Sequence, residues 1–587
     1  MGSMFKESKK RSLLIGLVWI LCLSVIIGRL FWLQTFDHNE LLADAEKKWI
    51  YDDKLRPKRG TIYDRTREQP LAWEVDAYIF LADPKQVKNP HKTASVLAPI
   101  LKISESSLYK LLTSSKKSVE LKADGHYKYP EPVYDKVMAL RKQGQLEGIY
   151  AFPTTMRQYN GNEAAHVLGY VNYDDVAVGG VEQYYDRLLR GKEGYIKYLK
   201  ARNGMMITDK PSKDTPPEPG KDLVLTIDSR IQQQVELELD EAVRNYQAKG
   251  GTAIVADPKT GEILAMASRP TFDPNRYAET INDDNRRNRA IESQFEPGST
   301  FKIVTLAAAI EEGVFHPDAL YQSGSIRVGD QVIRDWNETG WGRITYRQGI
   351  EESSNVAFVR LGQMLGNKLV DYIARFGFGN ITDSFGKRTG IDLPAEARGV
   401  YYGRNLYPAE LATTAFGQGI SVTPIQQVAA VSAIANGGIL MKPHVLKEEW
   451  DSGLSKKVKE YKPEGHRIIK PETAKQVRDL LRDVVAHGTG VEAEIPGYQV
   501  AGKTGTAQIP DPEGKGYLKG KYMVSFIGFA PYDHPNLVVY VAIDQPTTPT
   551  GSGSGGTVAA PVARNIMKAA LQIRHVQPDQ SFAESIK

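Results

Sequence analysis

Glu296-Pro297-Gly298-Ser299-Thr300-Phe301-Lys302 runs into Ile303-Val304-Thr305-Leu306-Ala307-Ala308-Ala309-Ile310, and this junction decides how the rest of the chain is read. The second run is apolar enough for a buried helix, and Pro297 and Gly298 punctuate its start. Positions i and i+3 of a helix share a face, so the spacing lets the Lys302 amine reach the Ser299 hydroxyl. A serine beside a base is a candidate activated nucleophile. The pattern S-x-x-K also starts at Ser3, Ser107, Ser114 and Ser384. Only Ser299 opens a long apolar helix, and its partners must come from elsewhere in the chain.

Downstream, Glu352-Ser353-Ser354-Asn355-Val356-Ala357 holds the one S-x-N pattern, and Ala501-Gly502-Lys503-Thr504-Gly505-Thr506-Ala507 is a K-T-G-T run on a predicted strand. A second K-T-G, Lys259-Thr260-Gly261, falls between two strand-like runs at 251–256 and 262–267. It reads as the turn of a hairpin, a structural role. Residues 222–228 read as a strand ending in a cap, and 229–248 carry helical spacing. Residues from about 297 to 490 read as helical. Strands return at 498–503, 522–529 and 537–543, with a closing helix near 560–573. That order describes an α+β domain whose sheet is built from both chain ends.

Upstream, residues 13–33 form an apolar stretch long enough to cross a bilayer, with Arg29 near one end where it can snorkel. Lys6, Lys9, Lys10 and Arg11 precede it, and Asp37 and Glu40 follow it. The positive-inside rule then puts the N-terminus in the cytoplasm and the rest outside. A cleaved signal peptide is the rival reading, but the run is long for one and no small-x-small site follows closely. Cys22, the single cysteine, lies in this stretch and reads as a packing residue. Helix is expected to continue over 45–50, with further helical patches near 92–117 and 132–144. His166 reads as a structural hydrogen-bonding residue. Residues 209–221 are rich in proline and charge, a linker composition. With 75 basic against 70 acidic residues in 587, nothing marks a nucleic-acid binder. No C-x-x-C or H-E-x-x-H spacing offers a metal site.

Ser299, Ser353 and Lys503 stand in the order and approximate spacing of the penicillin-interacting serine acyltransferases, which include penicillin-binding proteins and class A β-lactamases. Segments 416–420 with 423–426, 436–438, 488–490 and 377–379 resemble transpeptidase-domain segments. Arg59-Gly60 to Asp64-Arg65 and the cluster at 157–191 resemble the pedestal of class B penicillin-binding proteins. One departure is Thr66-Arg67, where the family usually has Asn-Gly, and no small C-terminal repeat modules follow the last helix.

The resemblance implies an α+β chain with an N-terminal transmembrane helix, an elongated mixed pedestal, and a penicillin-binding transpeptidase domain with a central antiparallel sheet covered by helices on both faces. Its expected divisions are 1–12 tail, 13–33 anchor, 37–210 pedestal, 211–221 linker, 222–575 transpeptidase domain and 576–587 tail. It implies Ser299 as nucleophile and Lys302 as base. Ser353 is expected to relay a proton to the leaving amine, and Asn355 to hold Lys302 and the substrate amide. Lys503 is expected to attract the substrate carboxylate, with Thr504 and Thr506 hydrogen-bonding it and Gly505 between them. No cofactor and no metal is expected. The implied partners are peptidoglycan stem peptides, β-lactam antibiotics, the bacterial cytoplasmic membrane and a separate glycan polymerase, with no nucleic acid. A β-lactamase, a D,D-carboxypeptidase, and a wall scaffold or β-lactam sensor remain as rivals. A sensor would need a cytoplasmic signalling region, and only residues 1–12 precede the anchor.

Overall fold

The computed structural model describes residues 2–38, 50–122, 127–200, 206–207, 215–280, 282–379, 386–404, 406–514, 516–549, 551 and 553–579. The helix expected over 45–49, residues 211–214 of the expected linker, Ser384 and the tail from 580 lie outside them. Two compact units are formed, Met1–Lys58 with Gly191–Pro219, and Arg59–Arg190 with Gly220–Lys587. In the first, a helix spans Gly2–Thr35, and its Lys9–Thr35 portion is long and apolar enough to cross a membrane. Cys22 is exposed on it. Strands Ile50–Leu55, Gly194–Lys200 and Met206–Ile207 make a small antiparallel sheet in the same unit. Ile50, read as the end of a helix, opens a strand instead.

In the second unit, strands Pro70–Ala82 and Ile149–Tyr159 pair antiparallel from Ala72↔Tyr159 to Ala82↔Ile149. Helices Pro90–Leu101, Glu105–Leu112 and Glu131–Lys142 close a core around Phe80, Leu97, Leu108 and Val137. A fully buried side chain of this size contributes about 1.5–3 kcal/mol. The two charged clusters of the pedestal meet on one carboxylate. Glu182, fully buried, accepts from Arg59 Nε at 2.8 Å and from Arg157 Nε at 2.6 Å. Arg67, at the position where Gly was expected, has φ +63°. Its guanidinium lies 3.6 Å from the centroid of the Trp450 ring, so a stacking contact of about 1 kcal/mol offsets much of the left-handed cost.

Lys221–Leu225 runs parallel to Ile62–Tyr63 and antiparallel to Leu446–Asp451. One sheet therefore continues from the pedestal strands into the following domain. The reading of 297–490 as helical needs correction here. It holds for the long helices, but Leu320–Gln322, Ser325–Val328, Gln331–Arg334, Arg343–Thr345, Ile439–Met441, Leu446–Asp451, Lys456–Glu460 and Gly465–Arg467 are strands. Six of these eight have only three or four residues, too few alternations to register as a period of two, and the two longer ones, Leu446–Asp451 and Lys456–Glu460, are mostly charged.

The C-terminal domain is assembled from α1 (Ser229–Asn245), β1 (Gly250–Ala256), β2 (Ile263–Arg269), α2 (Lys302–Glu311), α3 (Asn355–Leu365), α4 (Pro424–Ala435), β3 (Ala501–Pro510), β4 (Tyr517–Ala530), β5 (Leu537–Asp544) and α5 (Ala560–Ile573). Asp228 caps α1, its side chain accepting from the Arg230 N–H. The strands form one antiparallel sheet in the order β2-β1-β5-β4-β3, with β3 on an edge. Along β1, Ala253 and Val255 join a core with Val235 of α1 and Ile566 of α5, while Ile254 joins one with Val304 of α2 and Val431 of α4. Both faces are thus covered by helices, which is why these strands are continuously apolar rather than alternating. The extra K-T-G at Lys259 forms the β1–β2 turn, where the Lys259 N–H donates to Asp257 Oδ1 at 2.9 Å.

Candidate active site

Residues 296–302 do not enter the helix directly. Gly298–Phe301 is a 3-10 turn, and α2 begins at Lys302. The turn is braced from the side, since the Gly298 N–H donates to Gly417 O at 3.0 Å. Gly417 has φ +89°, and a Cβ there would meet Gly298 O at 2.1 Å, so only glycine fits. Ser299, half-buried, faces an open cleft.

Lys302 is 1% exposed. Its Nζ donates to Ser353 O at 2.7 Å and Asn355 Oδ1 at 2.8 Å, with Ser353 Oγ at 3.2 Å. Among the described residues no hydrogen bond joins it to Ser299 Oγ, so the contact suggested by the S-x-x-K spacing is not made here. The facing start of α3 occupies the amine instead, and catalytic hydrogen bonds often tighten only when substrate is bound. Burial, and then the charge of Lys503, push the Lys302 amine well below its ordinary value, while Asp335 opposes them. A neutral amine has two N–H groups, enough for Ser353 O and Asn355 Oδ1. Its lone pair is then left to accept a proton.

Ser353 is held at φ +56°, a conformation costing a non-glycine residue about 1–2 kcal/mol. Its N–H donates to Ile350 O at 3.1 Å, and the next N–H, of Ser354, to Gly349 O at 2.7 Å. Together they fix the turn into α3, which Ser354 caps by accepting from the Ala357 N–H at 3.2 Å. Asn355 Nδ2 donates to Arg334 O at 3.0 Å, setting the amide so that its oxygen meets Lys302.

Lys503, on edge strand β3, is also 1% exposed. Its Nζ donates to Thr504 O at 3.1 Å and Thr504 Oγ1 at 3.4 Å, and burial pushes it down to about 7. Thr504 Oγ1 lies 2.9 Å from Thr489 Oγ1, and Thr506 Oγ1 accepts from the Gly555 N–H at 3.1 Å. Gly505 lets the strand lie close to the serine turn, since a Cβ there would meet Ser525 Oγ at 2.5 Å and Thr300 Cγ2 at 3.0 Å.

The cleft holds about 290 Å³ and is lined by Ser299, Ser353, Asn355, Thr504 and Thr506. Lys302, Lys503 and Gly505 do not line it but are buried beneath. Trp336, Gln418, Thr489 and Ser554 also line it and were not assigned as site residues. Segments 416–420 and 488–490 carried a likeness but no role, and nothing in the sequence marks Trp336, which is 61% exposed. A separate cavity of about 360 Å³ between Phe376, Lys387, Leu440 and His466 shares no residue with the three motifs. His166 is buried with Nε2 2.9 Å from Asn285 O, and burial lowers it to about 4, so it is a neutral hydrogen-bond donor. Among the described residues no three His, Cys, Asp or Glu side chains converge on a metal position.

A serine on a short turn, backed by a buried amine and flanked by the edge of a five-stranded antiparallel sheet, defines the penicillin-interacting class of serine enzymes. The family model described as the penicillin binding protein transpeptidase domain matches residues 251–568, and that of the penicillin-binding protein dimerisation domain matches 54–225. The chain belongs to the penicillin-binding protein transpeptidase family. It is 41% identical to Stage V sporulation protein D of Bacillus subtilis over 98% of this chain and 88% of that protein. It is 31% identical to the peptidoglycan D,D-transpeptidase FtsI of Escherichia coli over 97% of this chain and 92% of that one. The crystal structure of penicillin binding protein 3 from Mycobacterium tuberculosis, complexed with aztreonam, superposes with a TM-score of 0.68 at 28% identity. That match covers 90% of this chain and 99% of the other.

Proposed function

We propose that the chain is a membrane-anchored D,D-transpeptidase that cross-links peptidoglycan stem peptides through an acyl-enzyme on Ser299 and is acylated by β-lactams at the same atom. The observation that carries this reading is the convergence of three distant segments on one buried amine. Lys302 Nζ is bonded to Ser353 and Asn355, and its proton affinity is depressed by burial and then by the charge of Lys503. Membership of the family, and the names of the relatives, support the reaction class.

In this reading Ser299 Oγ attacks the carbonyl between the last two D-alanines while its proton passes to the Lys302 amine. Ser353 Oγ, 3.2 Å from that amine, returns the proton to the departing D-alanine nitrogen. The backbone N–H groups of Ser299 and Thr506 hold the oxyanion, where one donor is worth about 3–4 kcal/mol. Thr504 and Thr506 bond the terminal carboxylate, and Lys503 acts on it from beneath. The open edge of β3 suits pairing with an extended peptide. The amine of a neighbouring stem then attacks the ester, releasing Ser299 and forming the cross-link. Asn355 keeps one amide N–H for the substrate, its other polar contacts being Lys302 and Arg334.

The Lys9–Thr35 helix supports a bilayer anchor. The basic residues before it support a cytoplasmic N-terminus and an extracytoplasmic catalytic domain. A separate glycan polymerase is inferred as the source of substrate, because the resemblance supplies a pedestal rather than a polymerising domain. The test supplies the full chain with uncross-linked glycan bearing pentapeptide stems. Cross-linked dimers that penicillin blocks are expected. Trimmed monomers alone would make the chain a carboxypeptidase, and rapid penicillin turnover would make it a β-lactamase.

A further inference from the structure

Asp335 follows the small hairpin Ser325–Val328/Gln331–Arg334 and is 2% exposed. None of the three motifs includes it. Its carboxylate closes two structures at once. Oδ2 accepts from the Gly324 N–H at 2.7 Å, tying the base of the hairpin. Oδ1 accepts from Ser354 Oγ at 2.8 Å and from the Val356 N–H at 3.0 Å, at the start of α3. A carboxylate at a helix N-terminus is favoured by both the free N–H groups and the helix dipole. The two residues it flanks, Ser353 and Asn355, are the ones that bond Lys302 Nζ. Trp336, next in the chain, lines the cleft and donates from Nε1 to Glu352 O at 2.8 Å.

We infer that Asp335 is a positioning residue for the acylation step: its buried carboxylate locks the Ser353–Asn355 turn, which holds Lys302, against the cleft hairpin. The same carboxylate brings a negative charge to bear on the Lys302 amine. This rests on the reading of Lys302 as the base for Ser299. The charged groups facing Lys302 are Lys503 from β3 and Asp335. Its other neighbours, Ser353, Asn355 and the Phe358 ring, are neutral. Two cations with one buried anion leave the amine protonated at low pH and free at higher pH. Without the anion, the free amine prevails from a lower pH upward.

The experiment follows the rate of acylation of the full chain by a fluorescent penicillin against pH, for wild type, Asp335→Asn and Ser354→Ala. Asparagine keeps an oxygen for Ser354 Oγ and Val356 N–H but loses the charge and the acceptor for the Gly324 N–H. Ser354→Ala loosens the same turn and leaves the charge. The expected result is an acid limb that moves to lower pH in Asp335→Asn only. At the foot of the wild-type limb, the rate relative to each protein's own plateau should rise about twofold or more. The alkaline side, governed by Lys503, should stay where it is. Asp335→Ser, a smaller neutral replacement, carries the same expectation if the asparagine variant does not fold. An acid limb unmoved by loss of the charge, or moved equally by Ser354→Ala, overturns the inference. A wild-type profile with no acid limb, or normal acylation of Lys302→Met, would instead overturn the assignment of the base.

Discussion

Lys503 gives the account its sharpest pH dependence. Its ammonium is buried against Thr504 and held down to about 7. A carboxylate resting on the Thr504 and Thr506 hydroxyls is attracted by Lys503 only while it is charged. For unit charges at an effective dielectric of about 20, that attraction is about 4 kcal/mol at 4 Å and half that at twice the distance. Either figure exceeds a tenfold effect, so the protonated fraction sets the size of the change. That fraction falls from about 0.9 at pH 6 to about 0.1 at pH 8, a loss of about tenfold. The assay compares acylation by a penicillin carrying its free carboxylate with acylation by its methyl ester. Taking the ratio of the two rates cancels the contribution of Lys302, which both probes need. The ratio should fall about tenfold between pH 6 and pH 8, because second-order rates report groups of the free enzyme. A ratio that stays flat across this range would show that Lys503 does not act through its charge on the carboxylate.

Two substitutions probe the scaffold. Gly417→Ala places a methyl 2.1 Å from Gly298 O at φ +89°. It should cost about 1–2 kcal/mol for the backbone conformation and about 1–3 kcal/mol for the overlap. Melting should therefore drop together with acylation, and unchanged values of both would remove the bracing role of that loop. Glu182→Ala leaves Arg59 and Arg157 buried without their shared partner, a loss of about 3–5 kcal/mol. Denaturant unfolding should shift by that amount while the folded fraction still reacts with penicillin. A shift below about 1 kcal/mol would contradict the structural role assigned to that cluster.

What the sequence made legible was chemistry attached to long, regular elements. Ser299 stood out because the apolar run at 303–310 follows its motif directly, and the β1–β2 hairpin because both strands are largely apolar. The strands of the sheet were visible, although β3 and β4 run longer than expected, to Pro510 and from Tyr517. Their distal halves mix polar and apolar residues and carry no continuous apolar run. The 3-10 turn at Gly298–Phe301 was not legible, because a turn of four residues and the first turn of an α-helix share the same spacing. Nor was Asp335, whose importance lies in three hydrogen bonds to residues 11 to 21 positions away. Only tertiary packing brings those together. The same holds for Thr489, which reaches Thr504 across a loop.

The central claim is that Ser299 Oγ carries the acyl group. The direct measurement is mass spectrometry of the full chain after reaction with penicillin, followed by proteolysis and localisation of the added mass. The account predicts one adduct per chain on the peptide containing Ser299, and none in a folded Ser299→Ala variant. An adduct on Ser353 or Ser354, or labelling that persists in Ser299→Ala, would contradict it.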